Sequence, residues 1–186
     1  MNSINPIIFL FPVIALILAV ILYFHLLNKS IGRKAFRKFI FITTILAFLL
    51  NFSWEVAQIP FYKATSFAAG HVAFCALASL ADAIMVLLLY LGLGFIFKNP
   101  IWIKDMKWQR IVILILIGAT GAILSELRHV SLGTWAYADS MLIIPIVNVG
   151  ITPVLQFMIL PLLVYLLSFH GLVILNRKGK NYFNHI

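Results

Sequence analysis

Of the 186 residues, 63% are hydrophobic and only 10% charged, against roughly 45–50% apolar and about 25% charged in an ordinary soluble domain. That composition excludes a soluble globular domain, a disordered chain and a nucleic-acid-binding domain. The charge is lopsided, 14 Lys and Arg against 5 Asp and Glu for a formal net +9, and in so apolar a chain the basic residues are first read as signals of membrane topology.

A helix needs roughly 20 apolar residues to cross the ~30 Å hydrocarbon core. Five segments meet that length, at about Pro6–Leu27, Phe39–Gln58, Ser66–Phe97, Ile111–His129 and Ile151–Leu175. They predict an all-α polytopic transmembrane bundle forming one domain over residues 1–186. The third is long, roughly 48 Å of helix, and must tilt or project from the bilayer. Counted along the chain, the stretch before the first span, the four connections and the tail carry 0, 5, 1, 4, 1 and 3 basic residues. This alternation predicts an external N-terminus and a cytoplasmic C-terminus in a cell membrane, the inner or plasma membrane. Most of the positive charge then encodes orientation and headgroup contact, and no nucleic-acid partner is expected. The start, Met1-Asn2-Ser3-Ile4-Asn5, lacks the basic region of a cleavable signal, so the first span is expected to be retained. With a single cysteine, Cys75, no intramolecular disulfide forms.

Polar groups inside a span are costly and tend to mark function. Here they fall into stripes at helical spacing: Asn51, Glu55, Gln58 and Tyr62 in the second span; His71, Cys75, Ser79 and Asp82 in the third; Glu126 and His129 in the fourth. Asn148, Thr152 and Gln156 make a fourth stripe if the last helix starts early. Lipid solvates none of them, so they are expected to face one another. By chain direction they converge on the extracytoplasmic half, with Asp82 deepest. After the fourth span, Trp135 and Tyr137 are read either as interfacial anchors or as a lid over the polar cavity. Met141–Gly150 is too short to span and is expected to be re-entrant, interfacial or a loop. The pairs Gly118 with Ala122 and Gly121 with Ser125 have small-residue spacing suited to close helix packing.

Several chemistries are open to these residues. Glu55 with Asp82 or Glu126 would form a carboxyl pair in an apolar cavity, where one member can stay protonated and act as an acid. Aromatic faces of Trp54, Trp135 and Tyr137 would steady a carbocation, while His71 and His129 would orient groups or relay protons. Asn51, Gln58, Tyr62 and Gln156 would hold the substrate. The plainer alternative is that Glu55 pairs with Arg128 or His129 and only ties helices together. Glu126-x-x-His129 has a metal-ligand spacing, but it occurs once, so no metal and no cofactor are expected. Proton- or metal-coupled transport, a Cys75–His71 nucleophile, and non-catalytic lipid binding or stabilisation of a complex are the other readings. The partners expected are membrane lipids and a hydrophobic small molecule.

The segment from Asn51 to Tyr62, Trp135-Ala136-Tyr137 followed by Met141, and Gly150 to Gln156 together resemble a family of small bacterial polytopic membrane proteins, from the second span onward. Asn51-x-x-Trp54-Glu55 also resembles an element of the integral-membrane terpene cyclases of fungal meroterpenoid pathways. That resemblance implies a role for Glu55 in protonating an epoxide or alkene, with Asn51 and Trp54 beside it. Those cyclases are larger and carry a second acid near the C-terminus, whereas this chain has no acid after Asp139.

Overall fold

The computed structural model describes residues 10–183, with side chains to Ile174. Five helices carry the architecture: α1 (Leu10–Lys29), α2 (Arg33–Gln58), α3 (Ala69–Ile96), α4 (Trp108–Ser131) and α5 (Ile151–Phe183). All five contain a stretch long and apolar enough to cross a membrane, and the protein is a multi-pass membrane protein. The expected spans shift at their ends. Pro6–Phe9 of the first lies outside the described residues. α2 begins at Arg33 rather than Phe39, because Phe36 and Phe39 are fully buried and carry the helix back through the basic turn. α5 continues to Phe183, beyond the apolar run.

The helices pack as a chain of neighbours, α1 on α3, α3 on α2, α2 on α5 and α5 on α4, whereas α3 and α4 barely touch. The α5–α4 contact has a specific cause. Pro161 has no N–H, so the carbonyl four residues back, on Phe157, loses its helical donor. Gly118 of α4 sits against that carbonyl: a Cβ there would lie 2.2 Å from the Phe157 oxygen. In a bilayer, where a freed backbone group must find protein rather than water, the glycine lets the two helices close over it. Gly121 behaves differently from its expected packing role, since nothing lies within 4 Å of where its Cβ would be.

One end of the bundle holds the basic turns and a dense aromatic core. Tyr90, Trp102 and Tyr165 are fully buried, with ring centroids 5.0 to 5.9 Å apart. The polar hydrogen of each of these three side chains is used. Tyr90 donates to the Pro100 carbonyl at 2.9 Å, Trp102 Nε1 to the Tyr90 carbonyl at 3.0 Å, and Tyr165 to the Val86 carbonyl at 2.7 Å.

At the opposite end α2 finishes in a 3₁₀ turn (Ile59–Phe61), forced by Pro60. The α4–α5 connection crosses over it. Lys63 N–H donates to Ala136 O at 2.8 Å and Ala138 N–H to Phe61 O at 2.9 Å, and Ser140 Oγ donates to Pro60 O at 3.0 Å. Met141–Gly150 forms no helix. It contains a small antiparallel hairpin, β1 (Ile143–Ile144) with β2 (Val149–Gly150). Asn148 sits in its turn at φ 53°, so the expected stripe through Asn148, Thr152 and Gln156 loses its first member: α5 starts only at Ile151.

Candidate functional site

Between α2, α3, α4 and α5, at the end carrying this crossing strap, lies a cavity of about 160 Å³. Its polar lining comes from Glu55 and Gln58 of α2, Asp82 of α3, Ser125 and Glu126 of α4 and Gln156 of α5, with Tyr62 and Trp135 above them. Three of the five acidic residues of the chain thus meet one space.

Two glutamines organise its floor. Gln156, almost wholly buried, donates through Nε2 to Asn51 Oδ1 at 2.9 Å and to Asp82 Oδ2 at 3.0 Å. Gln58 donates through Nε2 to Glu55 Oε1 at 2.7 Å, with Gln156 Oε1 a further 3.5 Å contact. Asn51 is itself oriented by donating to the Ala47 carbonyl at 2.7 Å. Glu55 and Asp82 are therefore joined through neutral amides, and no cation stands among the lining residues. Helix spacing explains the set: Asn51, Glu55 and Gln58 share a face of α2, and Gln156 on α5 meets it because α2 and α5 pack directly.

Glu126 is held separately. Its Oε2 accepts from the Tyr137 hydroxyl and, at 3.3 Å, from Trp135 Nε1. Both donors come from the strap that crosses α2. Tyr137 bridges Tyr62 through the backbone, and Tyr62 packs edge-on against Trp135 at 6.2 Å. Burial first, then the hydrogen bond to Glu126, pushes the Tyr137 phenol above its usual range, so it stays a donor at neutral pH. Burial does the same to Tyr62. Trp135 and Tyr137 are thus both bound to the carboxyl group of Glu126.

Other expected members fall elsewhere. His71 lies outside the lining and shares a 3.1 Å hydrogen bond with Ser66, just before α3. Cys75 does line the cavity, with its sulfur 3.9 Å from the Glu55 carbonyl. His129 stacks flat on Trp135, centroids 4.2 Å apart, rather than joining Glu126 around a metal. Among the described residues no group of three or more His, Cys, Asp or Glu is placed to hold an ion. Trp54 does not line the cavity, and its Nε1 is buried without a partner. The expected helix-tying pair also fails: Glu55 bonds Gln58, while Arg128 lies over the Phe11 ring at 4.4 Å. The apolar lining, such as Phe74, Ala78 and Phe157, carries no sequence signal that separates it from ordinary span residues.

The chain matches no family model, no curated protein and no solved structure.

Proposed function

We propose that the cavity is the active site of a membrane-embedded acid–base enzyme acting on a hydrophobic lipid or isoprenoid substrate, as an isomerase or cyclase. The observation that carries this reading is the meeting of Glu55, Asp82 and Glu126 at one apolar-walled cavity without a neutralising cation. Two neighbouring carboxyl groups in an apolar-walled site share a proton rather than both ionising, and the Glu55–Asp82 side is assigned as the acid. Glu126, with one oxygen held by two donors from the strap and no part in the amide network of that pair, is assigned as the base. In the proposed cycle Glu55 gives its proton to a carbon–carbon double bond. The resulting cation is steadied by the faces of Tyr62 and Trp135, and Glu126 removes a proton from a neighbouring carbon. The product is an isomer of the substrate, and the proton returns from Glu126 to the Glu55–Asp82 pair through water. Asn51, Gln58 and Gln156 are positioning residues. The partial resemblance of Asn51-x-x-Trp54-Glu55 to membrane terpene cyclases agrees with Glu55 as the acid.

The proposed setting is the cell membrane, with the basic end cytoplasmic and the cavity toward the outer leaflet. A cysteine at Lys63→Cys should react with an impermeant thiol reagent added outside, and one at Lys104→Cys should not. The reverse pattern would overturn the orientation. Untargeted lipid analysis of cells carrying wild type or Glu55→Gln tests the chemistry: one hydrophobic compound should accumulate in the variant and an isomer of equal mass should disappear. Identical lipid profiles would leave a lipid-binding or complex-stabilising role as the better reading.

The carboxyl groups also suit proton-coupled transport. Below Asp82, however, the bundle narrows into Ala83, Val86 and Tyr90, all buried among the aromatic core. That favours a blind site over a through-path.

A further inference from the structure

The cavity has a closed end and an open side. At the strap end the connection is fastened to the end of α2 and the turn after it by three hydrogen bonds, Lys63 N–H to Ala136 O, Ala138 N–H to Phe61 O and Ser140 Oγ to Pro60 O, with Trp135 and Tyr137 bound to Glu126 beneath it. Of the exposed lining residues, Thr65 belongs to the α2–α3 turn, while Phe74 of α3 and Ser125 of α4 face the gap between those two helices. Those two helices barely touch although both wall the cavity. One turn before Ser125, Gly121 leaves the same flank of α4 open, with nothing within 4 Å of where its Cβ would be. Phe74 and Ser125 both lie within helices long and apolar enough to span a membrane. Toward the strap the gap is tied by Arg128 lying over Phe11 of α1.

We infer that the α3–α4 gap is a lateral portal through which the apolar end of a long single-chain lipid enters the cavity from the bilayer. A water-soluble substrate would have to part the strap, whereas a chain already in the hydrocarbon meets a gap edged by Phe74, Ala78, Gly121 and Ser125. The volume sets the scale. A dry cavity of about 150 Å³ accepts benzene, so this one takes only the terminal few carbons of a chain and leaves the remainder in lipid. The inference rests on the acid–base reading for the purpose of the site, but not for the route into it.

The test uses the full-length protein in liposomes containing a long-chain alcohol with a diazirine at its apolar end, illuminated and mapped by peptide mass spectrometry. Adducts are expected within Phe74–Asp82 and Ala122–Glu126. A short, water-soluble diazirine should give none there. Ser125→Phe, which narrows the gap, should cut the cavity adducts about tenfold, and Gly121→Phe, placed where there is room, should do the same if Ser125→Phe does not fold. Labelling confined to outward-facing residues, equal labelling by the soluble probe, or adducts unchanged in both Phe variants would overturn the portal. Glu55→Gln separates the two ideas. Cavity adducts kept in that variant, with no change in cellular lipids, would retain the portal and remove the catalytic reading. A lipid change without cavity adducts would do the opposite.

Discussion

The two ends of the bundle solve opposite problems with similar residues. At the basic end, Tyr90, Trp102 and Tyr165 fill the space between helices, and each polar hydrogen goes to a backbone carbonyl. At the other end, Tyr62, Trp135 and Tyr137 are also clustered aromatics, but two of their polar hydrogens go to the carboxyl group of Glu126 and the space beside them is left unfilled. Aromatic hydrogen bonds to backbone build a plug, whereas the same bonds to a side-chain carboxyl hold that carboxyl beside a cavity. The comparison predicts that changes at one end are felt as stability and at the other as chemistry.

The largest effects should come from Glu55→Gln and Trp102→Ala, and they should differ in kind. Glu55→Gln should lower turnover about 10²- to 10⁴-fold, the usual worth of a positioned proton donor, with little change in thermal denaturation in detergent. Trp102→Ala should cost about 3–5 kcal/mol of stability while the molecules that remain folded keep their activity. If Trp102→Ala removes activity from fully folded protein, the division between the ends fails. Next, Tyr137→Phe leaves the ring but removes a donor to Glu126. A hydrogen bond to a charged group is worth roughly 1.5–3 kcal/mol, so a loss of about ten- to a hundredfold in turnover is expected, read from steady-state rates. Gly118→Ala drives a methyl group into the Phe157 carbonyl. It should destabilise by about 1–3 kcal/mol, as overpacking does, measured by the denaturation midpoint. Lys63→Ala should change nothing measurable: its ion pair with Asp139 is 3.9 Å long and exposed, and the strap is fastened by backbone bonds instead.

The five spans were legible because hydrophobic length is a strong signal, and lipid forces every backbone bond to close within the helix. The stripe Asn51, Glu55, Gln58 was legible for the same reason, since helical spacing alone puts these residues on one face. Its junction with Asp82 and Gln156 follows from polar groups having nowhere else to go. What sequence could not supply was which stripe members turn aside. His71 and His129 have the right spacing, yet one bonds Ser66 and the other stacks on Trp135. Those contacts are made by irregular segments, where periodicity carries no information. The hairpin at Ile143–Gly150 escaped for that reason, and Asn148 with it. Gly118 and Gly121 have the same small-residue pattern, but only Gly118 meets a carbonyl freed by Pro161, a pairing that spans two helices.

The central claim is that a proton is placed on carbon at one side of this cavity and removed at the other. Membranes containing the wild-type protein, Glu55→Gln or Glu126→Gln, incubated in deuterium oxide and extracted for high-resolution lipid mass spectrometry after back-exchange of O–H groups, test it directly. The account predicts a hydrophobic product that gains one carbon-bound deuterium with the wild type and with neither variant. Lipid profiles with no carbon-bound deuterium, or with the same deuterated species in all three samples, would contradict it.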